Sequence, residues 1–455
     1  MRRVPAPALD GSESGLALIV LLLVALFVGL VGVAMMGDTI SEVQIAVNQS
    51  NAVQARYLAE AGIADAANRL TQNNTWTGPI TQNLAAGSYT VQVDSATSQA
   101  GATGAVKSVV STGSVNSGTA AAGIQTVRET FLVLPQAFTK ALLSDTTIIA
   151  GDTNSTANTT ITNTALRQLG TIHANNVRAA SPAVTIQNNS GTNVVSVTGQ
   201  ITASQQSISL GAGTICTACA TATDQAVIPF PSFNFATYCN RASGAGTLFT
   251  SQTAFNTYVT SKTSGGVATL GSPSAPVMLF VTNGFNFQPQ GSTPITIYGT
   301  LIVYSQGNGT TCTFNAGTAP SGDMQFNMTA GTPFTITAEN GEPALMVGGS
   351  VWVNRSNCNP RPAPAITITG IIYNMANTSN PTVTAPSGSG LCVYGSNSGG
   401  GPMHVTGTII SNFSDHVDID SLTYDPSIFF GGLPSALNPP GPPFVLLPIS
   451  WSSNK

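Results

Sequence analysis

Between Gly15 and Gly37 the chain reads GLALIVLLLVALFVGLVGVAMMG, without one charged, amide or hydroxyl side chain. Its apolar part, Leu16 to Met36, is 21 residues. As a helix this is about 31 Å at roughly 1.5 Å per residue, enough to cross a bilayer core of about 30 Å. A secretory h-region is typically about 7–15 residues and ends at a small-x-small cleavage site. This run is longer and passes into GDTISEVQIAVNQSNAVQARYLAEAGIADAANRL without such a site. Arg2 and Arg3 precede the run, and Asp38 and Glu42 follow it. The basic end therefore stays cytoplasmic, and everything after Gly37 is expected outside.

From Asp38 to Leu70 there is no Pro and one Gly, and good helix formers are frequent. Apolar residues recur at Ile40, Val43, Val47, Val53, Tyr57, Ala61 and Ala64, close to a helical period. Arg56 with Glu60, and Asp65 with Arg69, have i,i+4 spacing. The pattern predicts one helix from about Leu16 to about Thr71, half in lipid and half above it. An anchor followed by a separate stalk helix is the competing reading.

The run SG-LALIVLLLVALFVGLVGVAMM followed by ARYLAEAGIADA resembles the N-terminal module of PilX-type minor pilins of type IV pili. The resemblance implies cleavage by a prepilin peptidase between Gly15 and Leu16, with residues 1–15 as leader. It implies a stem helix over 16–75 and a small antiparallel pilin sheet over 76–135. It also implies an inner-membrane protein, single-pass before assembly, whose partners are other major and minor pilins. Two positions depart from the family. Val20 stands where most pilins carry a Glu that pairs with a neighbouring N-terminus, and Glu13-Ser14 precedes Gly15 in place of a basic residue. A carboxylate in lipid is costly unless paired, so its loss removes a reason to dock beneath another subunit. This fits a subunit at the filament tip.

Three strand-like runs, GSYTVQVD, VKSVVSTGSV and IQTVRETFLVL, lead to Pro135. Beyond it, five segments read apolar-x-Gly-x-apolar: VTGQI (197–201), IYGTL (297–301), VGGSV (347–351), ITGII (368–372) and VTGTI (405–409). Each reads as a short strand whose Gly lets neighbouring layers approach closely. Their spacing is irregular, which suits a large irregular parallel β-solenoid with insertions over 136–455; a β-sandwich competes. The expected fold is thus mostly β behind a long helix. AVIPFPSFNFATYCNRAS and SQTAFNTYVTSK predict a helical insertion near 230–262 that serves as a cap or lateral cover. SLTYDPSIFFGGLP and NPPGPPFVLLPISW read as a poorly regular tail against the last coils. A stem of this kind with such a solenoid is similar to competence-associated minor pilins, which implies a link to DNA uptake.

Only 7% of residues are charged, 46 are Gly and 42% are hydrophobic. There is material for a core, and the hydroxyl- and amide-rich remainder suits an extracellular β protein. From 135 onward eight Lys/Arg face ten Asp/Glu, so bulk charge gives no push toward nucleic acid. The cysteines, Cys216, Cys219, Cys239, Cys312, Cys358 and Cys392, all follow the membrane run. An even count in an oxidising compartment reads as structural disulfides, at least two of them, with connectivity open. Because Cys216, Cys219 and Cys239 are an odd group, full pairing needs one long-range link.

Glycoside cleavage needs paired carboxylates in a cleft, and the only dense acidic cluster is SDHVDID. Asp415, Asp418 and Asp420 there are candidate Ca²⁺ ligands, with a solvated loop as the plainer reading. His173, His404 and His416 are scattered, and neither a nucleophile elbow nor a P-loop is present. No cofactor is called for and the chain is read as a non-enzyme, a polysaccharide-degrading β-helix enzyme being the remote alternative. For double-stranded DNA the best local patch is VWVNRSNCNPRPAP, with Trp352, Arg355 and Arg361, where a ring and two guanidiniums suit a base and phosphates. Arg167 and Arg178 flank a second candidate patch. Two roles stay open for the solenoid: DNA capture in natural transformation, and adhesion to a surface or polysaccharide.

Overall fold

The computed structural model describes residues 11–95, 105–116, 122–150, 159–163, 171–176, 182–186, 195–211, 214–217, 220–282, 290–304, 312–313, 323–329, 331–339, 341–349, 351–353, 355–356, 359–360, 364–375, 391–393, 402–412, 414–417, 419–438 and 441–453.

A single helix, α1 (Gly11–Gln72), carries both the apolar run and the Ala-rich segment. The i,i+4 pairs form, Arg56 Nε to Glu60 Oε1 at 2.9 Å and Arg69 Nε to Asp65 Oδ1 at 3.1 Å. The buried side of its second half is Ala55, Leu58, Ala59, Ile63, Ala66 and Leu70. It is not the periodic stripe predicted from the sequence: Val53 and Tyr57 are more than half exposed, and Ala61 and Ala64 also face solvent. The correction has a steric cause. The helix approaches its sheet so closely that a Cβ on Gly113 would overlap the Ala55 carbonyl, and one on Gly62 would overlap the Ser111 hydroxyl. Small residues sit at the closest approaches, and Leu58, Ile63 and Leu70 pack beside them.

The sheet over α1 is antiparallel, with β1 (Ile80–Leu84), β2 (Gly87–Ser95), β3 (Val106–Val115) and β4 (Gly123–Pro135) in order. Its fifth strand is Phe444–Ser453, which pairs with β4 from Phe444↔Pro135 to Ser453↔Val127. The segment NPPGPPFVLLPISW is therefore not an irregular tail. Pro442 and Pro443 lead into Phe444, and the run after them pairs along β4 and finishes the stem sheet.

After β4 a 3₁₀ turn (Gln136–Thr139) leads to β5 (Lys140–Ser144), the entry to a stack of parallel coils. The coils pair in parallel, with one short antiparallel pair, Thr263–Ser264 with Val267–Leu270, after the helical insertion, and this rules out the sandwich. One coil shows the design. Ile366–Thr369 lie on a first face between Phe334–Thr337 and Met403–Thr406. Gly370, at φ +131°, turns the corner, and Ile371–Asn374 run along a second face. Gly199, Gly299 and Gly407 hold the same left-handed φ. Gly370 and Gly407 are register partners, and a Cβ on Gly407 would overlap the Gly370 carbonyl. These four motifs are corners, where both the φ and the close approach exclude a side chain. VGGSV differs: Val347 ends a second-face strand (Pro343–Val347) and Val351 begins a third-face one (Val351–Val353).

The order of coils does not follow the chain. On the second face β5 pairs on one side with Thr171–Ala174 and on the other with Met403–Ser411. The chain enters the stack at an interior coil and winds outward through Ile201–Ala203 to Thr221–Ala222. Residues 223–247 then return along the stack, and coiling restarts at the opposite end, at Leu248–Phe249 and Val277–Val281. It ends where Met403–Ser411 docks on β5, while Ser421–Tyr424 fills the first face beside Thr159–Asn163. The run SLTYDPSIFF is thus partly a coil strand. The nine second-face pairings span roughly 43 Å at about 4.8 Å each.

The interior is a register-aligned column, Leu279–Leu301–Leu345–Ile372–Ile409–Leu142–Ile172–Ile201. All are 1% exposed or less. Full burial of such a side chain contributes about 1.5–3 kcal/mol as an upper figure. Helix α2 (Phe235–Gly244) and helix α3 (Gln252–Ser261) divide the two roles expected of the insertion. Phe255 and Val259 of α3 join the interior core beside Phe249, at the end of the stack where coiling restarts. Phe235, Tyr238 and Cys239 of α2 cover the outside of the second face.

Candidate functional site

Three regions bear on function: the bare half of α1, the strap over the second face, and the open outer side of the first face.

Leu16 to Gln72 is long and apolar enough to cross a membrane, and none of its apolar window is buried by the protein. Leu16, Val20, Leu23, Phe27 and Leu30 are all more than half exposed. Gly15 lies inside α1, immediately before this bare surface.

On the second face the outward column is Phe280–Ile302–Met346–Tyr373–Ile410–Leu143–His173–Thr202. The returning segment straps across it: the Tyr373 hydroxyl donates to the Pro231 carbonyl, and Phe233 meets the Tyr373 ring edge-on at 4.6 Å. Cys239 of α2 is bonded to Cys312, a long-range link across 73 residues. Where the column turns polar, Asn175 holds the strap as a backbone strand would. Its Nδ2 donates to the Ile228 carbonyl at 2.8 Å and its Oδ1 accepts from the Ile228 N–H at 2.8 Å. His173 lies beneath, 2% exposed, within 2.8 Å of the Thr202 hydroxyl and 3.2 Å of the Ser204 hydroxyl. Burial, then the neighbouring Lys140, pull its pKa down to about 4 against the opposing bond to Asn175. Burial pulls Lys140 to about 8. A neutral, fully engaged imidazole this deep is structural.

The first face differs in kind. One outward column runs Thr269–Thr296–Thr335–Thr367–His404–Ser421, and the backbone register continues through Thr160 to Ser196. The other runs Tyr298–Thr337–Thr369–Thr406–Thr423, and the backbone register continues to Thr162. Neither contains Lys, Arg, Asp or Glu. Thr269, Thr367 and His404 are exposed; Thr296, Thr335, Ser421, Ser196 and every described member of the second column are half-buried. The columns escaped the sequence reading because their members sit in strands far apart in the chain. The T-x-T spacing in FTITAEN and ITITG was the available signal.

The sequence candidates are placed as follows. Trp352 lies on the third-face strand Val351–Val353, in register with Gln325 and Cys392. Arg355 opens a short antiparallel pair with Pro360. The backbone thus puts Trp352 and Arg355 within one turn of chain. Their side chains, those of Cys216, Cys392, Asp415 and His416, and the residues Arg167, Arg178, Cys219, Cys358, Arg361 and Asp418 lie outside the described residues. Asp420 accepts from the Met403 N–H at 2.8 Å, closing the start of a coil strand. No group of three His, Cys, Asp or Glu side chains able to hold a metal occurs among the described residues.

No protein-family model matches the chain. No curated protein matches it either. Among solved structures it is similar to the crystal structure of the competence-associated pilin ComZ from Thermus thermophilus. The identity is 13% and the TM-score 0.21, over 89% of this chain and 97% of that one.

Proposed function

We propose that the chain is a minor pilin at the tip of a type IV pilus, priming or capping assembly and presenting its solenoid outward. The observation that carries this reading is α1. One continuous helix is apolar and bare over the length of a bilayer, then buries an Ala-rich face under an antiparallel sheet. Processing between Gly15 and Leu16 frees that helix for insertion among other pilins. Val20 offers no carboxylate to an incoming neighbour. Because β5 enters at an interior coil, the solenoid extends to both sides of the stem. Such a head suits a filament end.

The solenoid's role is capture of extracellular double-stranded DNA for natural transformation. Trp352, Arg355 and Arg361 form the contact, with Arg167 and Arg178 as a second. The test is DNA binding by the full chain in detergent across a salt series. R355A/R361A is expected to weaken binding and to lower the salt slope by about one to two units, one per phosphate contact. Unchanged affinity and slope remove the patch from the account. The uncharged first face favours a second reading, adhesion to a neutral surface, whose signature is binding that salt leaves unchanged.

A further inference from the structure

The two hydroxyl columns of the first face form a lattice. In the first, Thr269, Thr296, Thr335 and Thr367 occupy four successive coils; in the second, Thr337, Thr369, Thr406 and Thr423 do. The pairing between Ala365–Asn374 and Met403–Ser411 runs through nine consecutive partners without a bulge, so the rows keep step. Strand spacing sets about 4.8 Å between rows, and two residues of rise set roughly 6.6 Å between columns. Between the columns the side chains of Ile297, Ile336, Ile368 and Val405 point inward and are fully buried, which holds the strand backbones flat.

The chemistry of this face narrows what it can meet. The described columns carry no Lys or Arg, so a polyanion such as DNA or an acidic lipid surface finds no permanent counter-charge there. Its rings are Tyr298, at the edge, and the lone imidazole of His404, bonded to the Ser421 hydroxyl at 2.7 Å; the described columns hold no carboxylate or amide. A sugar polymer is therefore offered neither a stacking platform nor a bidentate acceptor. Each threonine does offer a hydroxyl, which both donates and accepts, beside a methyl group. Repeated on a grid whose steps are of the order of the oxygen repeats of frozen water, that pair orders water without binding any discrete solute. The geometry points to an ice-binding face: the first face of the solenoid docks on the ice lattice through ordered water held by Thr335, Thr337, Thr367, Thr369 and Thr406. This deepens the adhesion reading and rests on its premise that the ligand is a neutral surface, but not on filament assembly.

The test uses the full chain in detergent, mixed with an inert reference protein, during slow growth of a polycrystalline ice front. The wild type is expected in the ice fraction at least fivefold above the reference. The variant T335K/T367K/T406K, which plants charges and longer side chains on the grid, is expected to fall to the reference level with an unchanged circular dichroism spectrum. If the triple variant misfolds, T367K alone, at an exposed position, is expected to halve the enrichment. T257K, on the outer side of α3, is expected to leave it intact. Exclusion of the wild type from ice, or equal enrichment of wild type and T367K, overturns the proposal. Depletion by crystalline cellulose or chitin in place of ice also overturns it, while leaving adhesion standing. Salt-dependent DNA binding that T367K weakens would overturn adhesion as well.

Discussion

Replacing Asn175 with Ala should loosen the strap that returns the chain across the stack. Asn175 is fully buried and bonds the Ile228 N–H and carbonyl, each at 2.8 Å, and Asp145 Oδ1 at 2.9 Å. Ile228 is itself 1% exposed, so water does not replace these partners without opening the strap. Each buried polar group left unpaired costs about 1–3 kcal/mol. Two backbone groups at Ile228 set the loss at about 2–6 kcal/mol. A unit of 150–250 residues shifts its midpoint by about 2–4 °C per kcal/mol, and this stack is larger and shifts less. At about 1–2 °C per kcal/mol the expected fall in the thermal midpoint, followed by circular dichroism on the full chain in detergent, is therefore roughly 2–12 °C. Protease should also cut N175A within residues 223–234 faster than wild type, because local opening precedes global unfolding. A midpoint within about 1 °C of wild type, with no new cleavage, would refute the idea that Asn175 fastens the strap.

His173 ties stability to pH. Its folded pKa of about 4 lies below the ordinary value of 6.5, so the unfolded chain binds the proton first. Its contribution is fully present above pH 6.5 and is lost as pH falls toward 4, by about 3 kcal/mol in all. The difference between wild type and H173Q, which cancels the carboxylates common to both, should shrink across that window and stay level above pH 7. Breaking the Cys239–Cys312 link by C239S/C312S releases a 73-residue separation and should cost about 4 kcal/mol on the chain-entropy account. A midpoint insensitive to the double change would show that α2 is held by packing alone. G113L should part α1 from β3, since even a Cβ there overlaps the Ala55 carbonyl. Loss of tertiary near-ultraviolet signal with helix content retained is the expected result, and an unaltered spectrum contradicts it.

Much of the architecture was legible in the sequence because local patterns carry it. The bare run of α1 is continuous over 21 residues, and the three long strands of the stem sheet and the corner glycines are each written within about a dozen. What escaped depends on partners distant in the chain. Phe444–Ser453 looks like a tail until β4 is seen to lack a neighbour on that edge. The threonine columns gather one or two residues from each of many strands, and no local window contains them. The winding order escaped too, since nothing near Lys140 reveals that Met403–Ser411 will pair with it. On α1 the apolar period pointed to the wrong side because the packed side mixes Leu58, Ile63 and Leu70 with alanines and Gly62, which sit where the sheet comes closest. The proposed DNA patch rests on composition alone, a ring and two guanidiniums within ten residues, and its side chains lie outside the described residues.

The central claim is that this chain is processed and carried into a pilus as a stem-bearing head. It is tested most directly by shearing filaments from intact cells and reading, by mass spectrometry, the N-terminal peptide of the copies they contain. The account predicts a chain that begins at Leu16, recovered with the filaments in a small number of copies relative to the major subunit. Recovery solely in the membrane fraction, with the N-terminus still at Met1, would contradict it.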